Sequence, residues 1–208
     1  MTQPAPTVFV VDDDASVRRS LARLLKSAGY QVEMFPSALE FLASDRHHHI
    51  AACLVLDLRL PGLTGMDLQA RLAELQSPLA IVFITGHGDI PTSVRAMKDG
   101  AVDFLPKPFD DTHLLDAVAR AIERTRLDQK ALAELTAIQL RFATLTARER
   151  EVMAQIVTGK LNKQVADDLG TVEKTIKVHR ARVFEKMQVQ SLAELVPLAT
   201  KLGLLESK

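Results

Sequence analysis

The sequence predicts an α/β fold in which a five-stranded, doubly wound parallel sheet is joined by a long helix to an all-helical domain. Five short apolar segments alternate with helical segments over the first part of the chain, which is typical of a parallel sheet with right-handed crossovers. After them, apolar residues recur every three or four positions, as they do in amphipathic helices. These two patterns predict two domains of different architecture.

The strands are predicted from β-branched or apolar runs of strand length. The run at residues 51–56 has no polar break and no helical stripe, and such a run is typical of a central strand buried on both faces. The predicted strands cover residues 7–11, 31–35, 51–56, 79–84 and 102–105. The helices between them are predicted at residues 16–28, 38–42, 66–75 and about 89–98, with Asp89 as the N-cap of the last.

A longer helix is predicted at residues 112–142, where apolar side chains fall at threes and fours without Gly or Pro. As one helix it would extend about 46 Å, although a break with a short hinge in its polar middle remains an alternative. Thr146 and Glu149 then form a Thr-x-x-Glu capping box. The later helices are predicted at residues 146–158, 162–169, 173–187 and 191–201. A short helix, a tight turn and a longer basic helix indicate a helix-turn-helix.

Charge and composition restrict the class of protein. Residues 1–140 contain 14 Lys and Arg against 18 Asp and Glu, whereas residues 141–208 contain 12 against 8. The basic second part is a candidate for contact with a polyanion, or is only a basic solvated face. Cys53 is the sole cysteine, which excludes an internal disulfide framework. Because no apolar run approaches the roughly 18 residues of a membrane span, we expect a cytoplasmic protein without a membrane partner.

Acidic and hydroxyl side chains stand at the ends of three predicted strands. Asp12 and Asp13 follow the first strand, Asp57 the third and Thr85 the fourth, while Lys107 follows the fifth. The carboxyl ends of parallel strands share one edge of a sheet, where ligand sites form. Three clustered carboxylates repel one another unless a hard cation such as Mg²⁺ binds them. In such a site Asp57 could attack a phosphoryl group whose oxygens meet Lys107 and Thr85.

Two simpler interpretations apply to single residues. Asp57 taken alone could cap the turn at Pro61 and Gly62. The run from His47 to His49 invites a metal site, but adjacent side chains do not converge on one ion without a defined backbone, so an exposed loop is expected.

Residues 7 to about 122 resemble the receiver domain of two-component response regulators. The matching segments are Val-Val-Asp-Asp-Asp at 10–14, Leu-Asp-Leu-Arg-Leu-Pro-Gly-Leu-Thr-Gly at 56–65, Ile-Thr-Gly-His-Gly-Asp at 84–89 and Phe-Leu-Pro-Lys-Pro-Phe at 104–109. The resemblance implies a flavodoxin-like receiver domain at residues 1–122. It also implies Asp57 as the phosphoacceptor and Asp12, Asp13, Asp57 and the backbone carbonyl of Arg59 as Mg²⁺ ligands. Thr85 would be the switch hydroxyl, Phe104 the aromatic that turns inward with it, and Lys107 the lysine before a cis proline.

Residues 144–205 resemble the LuxR-type helix-turn-helix domain of NarL/FixJ response regulators, which implies a DNA-binding domain at residues 144–208, and the whole chain is most similar to FixJ-like members. The matching segments are Leu-Thr-Ala-Arg-Glu-Arg-Glu at 145–151, Asn-Lys-Gln-Val-Ala at 162–166 and Thr-Ile-Lys-Val-His-Arg at 175–180. Residues 123–143 are then a helical linker. Lys and Arg bond guanine edges or phosphates, and Val contacts thymine methyl groups. The candidate DNA contacts are Lys177 and Val178 for bases, Thr175, Asn162 and Lys163 for phosphates, Arg180 and Arg182 for either, and Lys174 as a further contact.

One position departs from the family pattern. Thr171 and Val172 stand where the family usually has Ile-Ser before the recognition helix. Val is a poor N-cap, so about 1 kcal/mol of stability is lost at the helix start unless Thr171 substitutes. The departure puts ordinary DNA affinity in question, but not the fold.

These features predict a phosphorylation-dependent transcriptional regulator and not an enzyme. The resemblance implies a sensor histidine kinase, promoter DNA, RNA polymerase and a second copy of the chain as partners, and favours activation over repression. Phosphorylation could release a masked recognition helix or drive dimerisation, and the long helical spacer favours dimerisation. A haloacid-dehalogenase-like phosphohydrolase would normally need an acid two residues after its nucleophile, where this chain has Arg59. A stand-alone phosphate relay does not account for the helix-turn-helix.

Overall fold

A computed structural model describes residues 5–44, 52–86 and 90–205 of the chain. The chain divides into two compact units, Met1–Lys130 and Ala131–Lys208. The predicted division into residues 1–122, 123–143 and 144–208 stays a prediction. The expected N-cap Asp89 and the three histidines at 47–49 lie outside the described residues.

The first unit contains the predicted five-stranded parallel sheet. Its strands are β1 Thr7–Val11, β2 Gln31–Phe35, β3 Ala52–Asp57, β4 Ala80–Thr85 and β5 Asp103–Pro106. Their order is β2-β1-β3-β4-β5, and every neighbouring pair is parallel. Since β1, β3 and β4 lie side by side, their carboxyl ends meet at the middle of one sheet edge. The fold class expected from the sequence is confirmed.

Helices cover both faces of this sheet. They are α1 Ala15–Ser27, α2 Ala38–Ala43, α3 Gly65–Glu74, α4 Ile90–Lys98 and α5 Asp111–Ala143. On one face, Phe9, Leu54 and Phe83 pack with the buried side chains of α2, α3 and α4. On the other face, Val10 and Val55 pack with those of α1 and α5. Alternate strand residues thus enter two apolar layers, which explains why β1, β3 and β4 have no polar face.

The structure agrees with one long helix and differs from the prediction at one position. α5 is a single helix of 33 residues. Leu132 falls in the apolar spacing that predicts this helix but is 52% exposed, whereas Ile138 is fully buried. Within the first unit, the buried Thr125 hydroxyl accepts a 3.0 Å hydrogen bond from the Ala80 N–H. Packing of α5 on the sheet therefore extends past residue 122.

The second unit is helical and has its own apolar core. Its further helices are α6 Ala147–Ile156, α7 Asn162–Asp168, α8 Glu173–Met187 and α9 Leu192–Lys201. The predicted inward residues of α8, Ile176, Val183 and Met187, are fully buried. Thr146 and Glu149 form the predicted capping box at the start of α6. None of the helices within the described ranges is long and apolar enough to span a bilayer.

Candidate functional site

Three carboxylates converge at the carboxyl edge of the sheet. Asp12 follows β1 and Asp57 ends β3, and both are buried, whereas Asp13 is exposed. One carboxylate oxygen from each of the three residues lies within 4.8 Å of the others. Oxygen ligands at such spacing suit a hard divalent cation such as Mg²⁺. The adjacent strand order of β1 and β3 therefore produces the acidic cluster expected from the sequence.

Lys107 joins the two buried carboxylates of this cluster. Its Nζ lies 2.7 Å from Asp12 Oδ2 and 2.7 Å from Asp57 Oδ2. Burial raises the pKa of the Asp12 carboxyl, against the opposing hydrogen bonds from Lys107 and the Asp14 N–H. Burial alone would lower the pKa of Lys107, but its hydrogen bonds and charge interactions with Asp12 and Asp57 outweigh burial and raise that pKa. The ammonium group is thus held charged beside the Asp57 oxygen.

Backbone groups fix how the Asp57 and Lys107 side chains are presented. The Arg59 N–H donates a 3.0 Å hydrogen bond to Asp57 Oδ1. The Lys107 N–H donates a 2.7 Å hydrogen bond to the Thr85 carbonyl, and the bond between Lys107 and Pro108 is cis, as the family resemblance implied. Asp57 Oδ2 therefore faces Lys107, while Oδ1 is held by the following turn.

Gly65 is a site residue whose role the sequence analysis missed. A Cβ added to Gly65 would lie 2.5 Å from the Asp57 backbone oxygen and 3.1 Å from the Phe83 ring. The start of α3 therefore approaches the end of β3 more closely than a side chain permits. The capping box between Thr64 and Asp67, which starts α3 at this point, was visible in the sequence as Thr-x-x-Asp.

Thr85 and Phe104 lie on neighbouring strands, β4 and β5. Thr85 is fully buried, and Phe104 is half-buried, with its ring centroid 6.2 Å from that of Phe83. Phe104 lines an open groove of about 680 Å³ between α4 and β5. The groove is also lined by Ile90, Val94 and Met97, which are 80%, 46% and 44% exposed. This set of side chains, the α4–β5 patch, is an exposed apolar surface beside the predicted switch residues.

The predicted recognition helix presents most of its candidate contacts to solvent. Lys174, Lys177, Val178 and Arg182 of α8 are exposed, as is Lys163 of α7, and Thr175 is half-buried. Lys177 is held by an ion pair with Glu173, one helical turn away, at 3.0 Å. These positions form a basic surface on a helix of 15 residues, long enough to lie in a major groove.

Arg180 and Asn162 differ from the other candidates because they are half-buried. Arg180 Nη1 donates a 3.2 Å hydrogen bond to Asn162 Oδ1, which joins α8 to α7. Its guanidinium carbon also lies 5.3 Å from the centre of the Phe184 ring.

The start of α8 lacks a side-chain cap at its first position. Val172 occupies the N-cap, makes no side-chain hydrogen bond there, and is 64% exposed. This agrees with the weak helix start expected from the sequence.

Comparison with known families identifies both units. The model described as "Response regulator receiver domain" matches residues 8–119, which is more than half of the chain. The model described as "Bacterial regulatory proteins, luxR family" matches residues 143–199. The chain belongs to the response regulator family. It is a regulator with a receiver domain and a LuxR-type DNA-binding domain, as the sequence predicted.

Similar regulators match this response regulator along most of their length. Nodulation protein W of Bradyrhizobium diazoefficiens is 51% identical over 197 residues, covering 95% of this chain and 86% of that protein. Transcriptional regulatory protein FixJ of the same organism is 45% identical over 199 residues, covering 95% and 96%. FixJ is named as a transcriptional regulatory protein, in agreement with the prediction of a regulator and not an enzyme.

Solved structures of response regulators show the same fold. The response regulator StyR matches with a TM-score of 0.82 and 47% identity, over 95% of this chain and 99% of that one. Full-length FixJ from B. japonicum matches with a TM-score of 0.57 and 43% identity, over 99% and 100%.

Proposed function

We propose that Asp57 of this response regulator accepts a phosphoryl group from a phosphohistidine of a sensor histidine kinase. The observation that supports this assignment is the position of Lys107, whose Nζ lies 2.7 Å from one oxygen of Asp57 and 2.7 Å from Asp12. Asp57 is 7% exposed and ends a central strand, so its carboxylate is held in place at the sheet edge. Asp57 Oδ2, the oxygen beside Lys107, is the nucleophile in this proposal.

The transfer forms one bond and breaks another. An Asp57 oxygen bonds to phosphorus as the phosphorus–nitrogen bond of the phosphohistidine breaks. The imidazole leaves with the electron pair of that bond and takes up one proton from water, which makes it neutral. Lys107 moves from bridging two carboxylates to contacting a phosphoryl oxygen, and Thr85 hydrogen-bonds another. Positioning and charge neutralisation of this kind provide most of the catalysis in phosphoryl transfer.

The metal in this proposal is Mg²⁺, held by Asp12, Asp13, Asp57 and the backbone carbonyl of Arg59. A bound Mg²⁺ would neutralise the charge that the carboxylates and the phosphoryl oxygens bring together. The convergence of three carboxylate oxygens within 4.8 Å supports this ligand set, as does the Arg59 N–H on Asp57 Oδ1, which places residue 59 against the cluster.

Phosphorylation then changes the surface beside the site. Thr85 moves toward the phosphoryl group, Phe104 turns inward, and the α4–β5 patch changes shape. The exposure of Ile90, at 80%, supports the use of this patch by a second receiver, because burying apolar surface stabilises association. Between the two mechanisms left open by the sequence, the patch favours dimerisation over unmasking.

Dimerisation brings two recognition helices to DNA half-sites about one or more helical turns apart. In this proposal Lys177 and Val178 contact bases, and Lys163 and Thr175 contact phosphates. Arg182 contacts either, and Lys174 is a further contact. The bound dimer recruits RNA polymerase and activates transcription.

Light scattering with and without a phosphoryl mimic tests this proposal. We expect beryllofluoride with Mg²⁺ to convert the wild-type chain from a monomer to a dimer, and Asp57→Asn to stay monomeric under the same conditions. Asp13→Asn is the control for the metal, since it should require more Mg²⁺ for the same conversion. A wild-type chain that binds the mimic and stays monomeric contradicts dimerisation. A chain that binds no mimic contradicts the role of Asp57.

A further inference from the structure

The register of α8 places Arg180 apart from the other basic residues of the helix. The fully buried residues Ile176, Val183 and Met187 follow one another at seven and four positions. Arg180 lies four residues after Ile176 and three before Val183, and therefore on the inward stripe of a helix with 3.6 residues per turn. Lys174, Lys177, Val178 and Ala181 form the opposite, exposed stripe.

The contacts of Arg180 agree with this register. Its Nη1 lies 3.2 Å from Asn162 Oδ1, and its guanidinium carbon lies over the Phe184 ring, 5.3 Å from the centre. A guanidinium over an aromatic face is attracted by the ring quadrupole. The guanidinium is therefore restrained from two sides, by an amide of α7 and by a ring of its own helix.

This contact determines the orientation of the Asn162 amide. A guanidinium carries only donors, so the amide oxygen of Asn162 must be the atom that faces Arg180. The amide nitrogen, with two protons, is then the part of the side chain that remains to donate to another acceptor. The sequence predicts a phosphate contact for Asn162, and side-chain donors commonly contact phosphate oxygens of DNA.

We infer that Arg180 is a positioning residue that orients the Asn162 amide toward a DNA phosphate, and that Arg180 itself contacts neither base nor phosphate. The inference rests on the proposed DNA-binding function and assigns one role to a residue for which the sequence left two. Arg182, exposed on the same helix, is the matched residue that contacts DNA directly.

The first test uses the free full-length protein and the NMR signals of the Asn162 side-chain amide. Arg180→Met keeps an apolar stem beside Phe184 and removes all guanidinium donors, so both amide protons of Asn162 should shift and exchange faster with water. Arg182→Met should leave them unchanged. Thermal unfolding of each variant checks that the second unit is folded. Unchanged Asn162 signals in a folded Arg180→Met variant would overturn the inference whether or not the protein binds DNA.

The second test measures DNA binding of the chain activated with beryllofluoride, on a duplex that the wild type selects from a random-sequence pool and on an unrelated duplex. We expect Arg180→Met to weaken binding to both duplexes by about tenfold, the loss of one hydrogen bond to a charged group. The slope of log K against log salt should stay the same. A direct phosphate contact would instead reduce that slope by about 0.9, and a base contact would weaken binding to the selected duplex alone.

A double-mutant cycle completes this test. Adding Asn162→Ala to Arg180→Met should weaken binding less than twofold further, because the two residues act through one contact. Adding Asn162→Ala to Arg182→Met should reduce DNA affinity by the product of the two single-variant fold-losses. Multiplied losses with Arg180→Met would overturn the inference while leaving the DNA-binding proposal intact. A wild-type chain that binds neither duplex would contradict that proposal itself, and the NMR result still decides the Arg180–Asn162 contact.

Discussion

At the scale of single residues, the proposed phosphoryl site depends on the close approach of a lysine ammonium to two carboxylates. Two buried carboxylates are tolerated because the Lys107 ammonium lies 2.7 Å from both, since buried charges require partners. The backbone of α3 also lies close to the end of β3. Any side chain at Gly65 would meet the carbonyl oxygen of Asp57. The shape of the site therefore depends on a glycine that supplies no functional group.

We predict that Gly65→Ala destabilises the first unit by about 1–3 kcal/mol, because its Cβ would overlap the Asp57 backbone and force it to move. Tyr30 is the only tyrosine of a chain without tryptophan, so its fluorescence during urea unfolding follows this unit alone. Gly86→Ala is the control, because its Cβ would meet nothing within 4 Å. Equal unfolding midpoints for both variants would show that the close approach does not constrain the site.

At the scale of elements, the two ends of α8 are stabilised unequally. Its start has the exposed Val172 as N-cap and no side-chain hydrogen bond there. Near its end, Lys186 Nζ lies 2.6 Å from Glu149 Oε2 and also donates to the Thr144 carbonyl, while Arg141 donates to the Met187 carbonyl. These basic residues of the second unit are thus engaged in holding α8 against α5 and α6.

Val172→Ser should stabilise the first turn of α8 by about 1 kcal/mol, because a Ser hydroxyl at the N-cap accepts a hydrogen bond from a backbone N–H of that turn. Amide hydrogen exchange in α8 measures the effect. Val172→Ala removes the exposed side chain without adding a cap, and should not slow exchange. The expectation fails if the Ser and Ala variants exchange alike.

The Glu149–Lys186 ion pair should make the stability of the second unit depend on pH. The hydrogen bond from Lys186, with that from the Thr146 N–H, lowers the pKa of the buried Glu149 carboxyl. Because the pKa of Glu149 is lower in the folded than in the unfolded chain, ionisation of Glu149 stabilises the fold at pH values above the unfolded pKa, about 4.3. This stabilisation is lost as the pH falls through the pKa of the folded state. Glu149→Gln keeps a capping-box acceptor and removes the charge, and should cost about 1–3 kcal/mol at pH 7.

The measurement is hydrogen exchange of α6 and α8, corrected for intrinsic rates, from pH 7 downward. The difference in free energy of opening between wild type and Glu149→Gln should become smaller once the pH falls below about 4.3. Lys186→Met should remove most of the same pH dependence. A difference that stays constant down to pH 3 would mean that Glu149 acts as a cap and not as a charge.

At the scale of the whole molecule, two units have separate cores. The first unit holds the proposed phosphoryl site and the α4–β5 patch, and the second holds the proposed recognition helix. Communication through dimerisation requires only that the first unit pairs, because any pairing raises the local concentration of recognition helices on DNA.

We therefore expect Ile90→Asp to prevent the dimerisation induced by beryllofluoride without preventing the mimic from binding, because it puts a charge into the apolar patch. Leu39→Asp is a matched control, since Leu39 is 62% exposed on α2 of the same unit. Light scattering measures the mass, and Tyr30 fluorescence melting with and without the mimic reports its binding. Dimers formed equally by both variants would exclude the patch as the interface.

The sequence by itself determined the elements and the order in which they occur. Apolar runs, helical spacing and the Thr146 capping box are local patterns, and each depends on residues a few positions apart. The convergence of Asp12, Asp13, Asp57 and Lys107 was also predictable, because parallel strands place their carboxyl ends at one edge. The roles assigned to these residues remain predictions that the experiments above address.

Only the tertiary structure decided which of two similar residues faces a partner. Arg180 and Arg182 are both basic residues of one helix, yet Arg180 reaches Asn162 of α7 and Arg182 is exposed. Leu132 and Ile138 both belong to an apolar pattern, yet only Ile138 is buried. Gly65 lies against the backbone of Asp57, and no local sequence pattern predicts this contact. Such contacts join separate elements, and therefore depend on packing geometry and not on the spacing of residues along the chain.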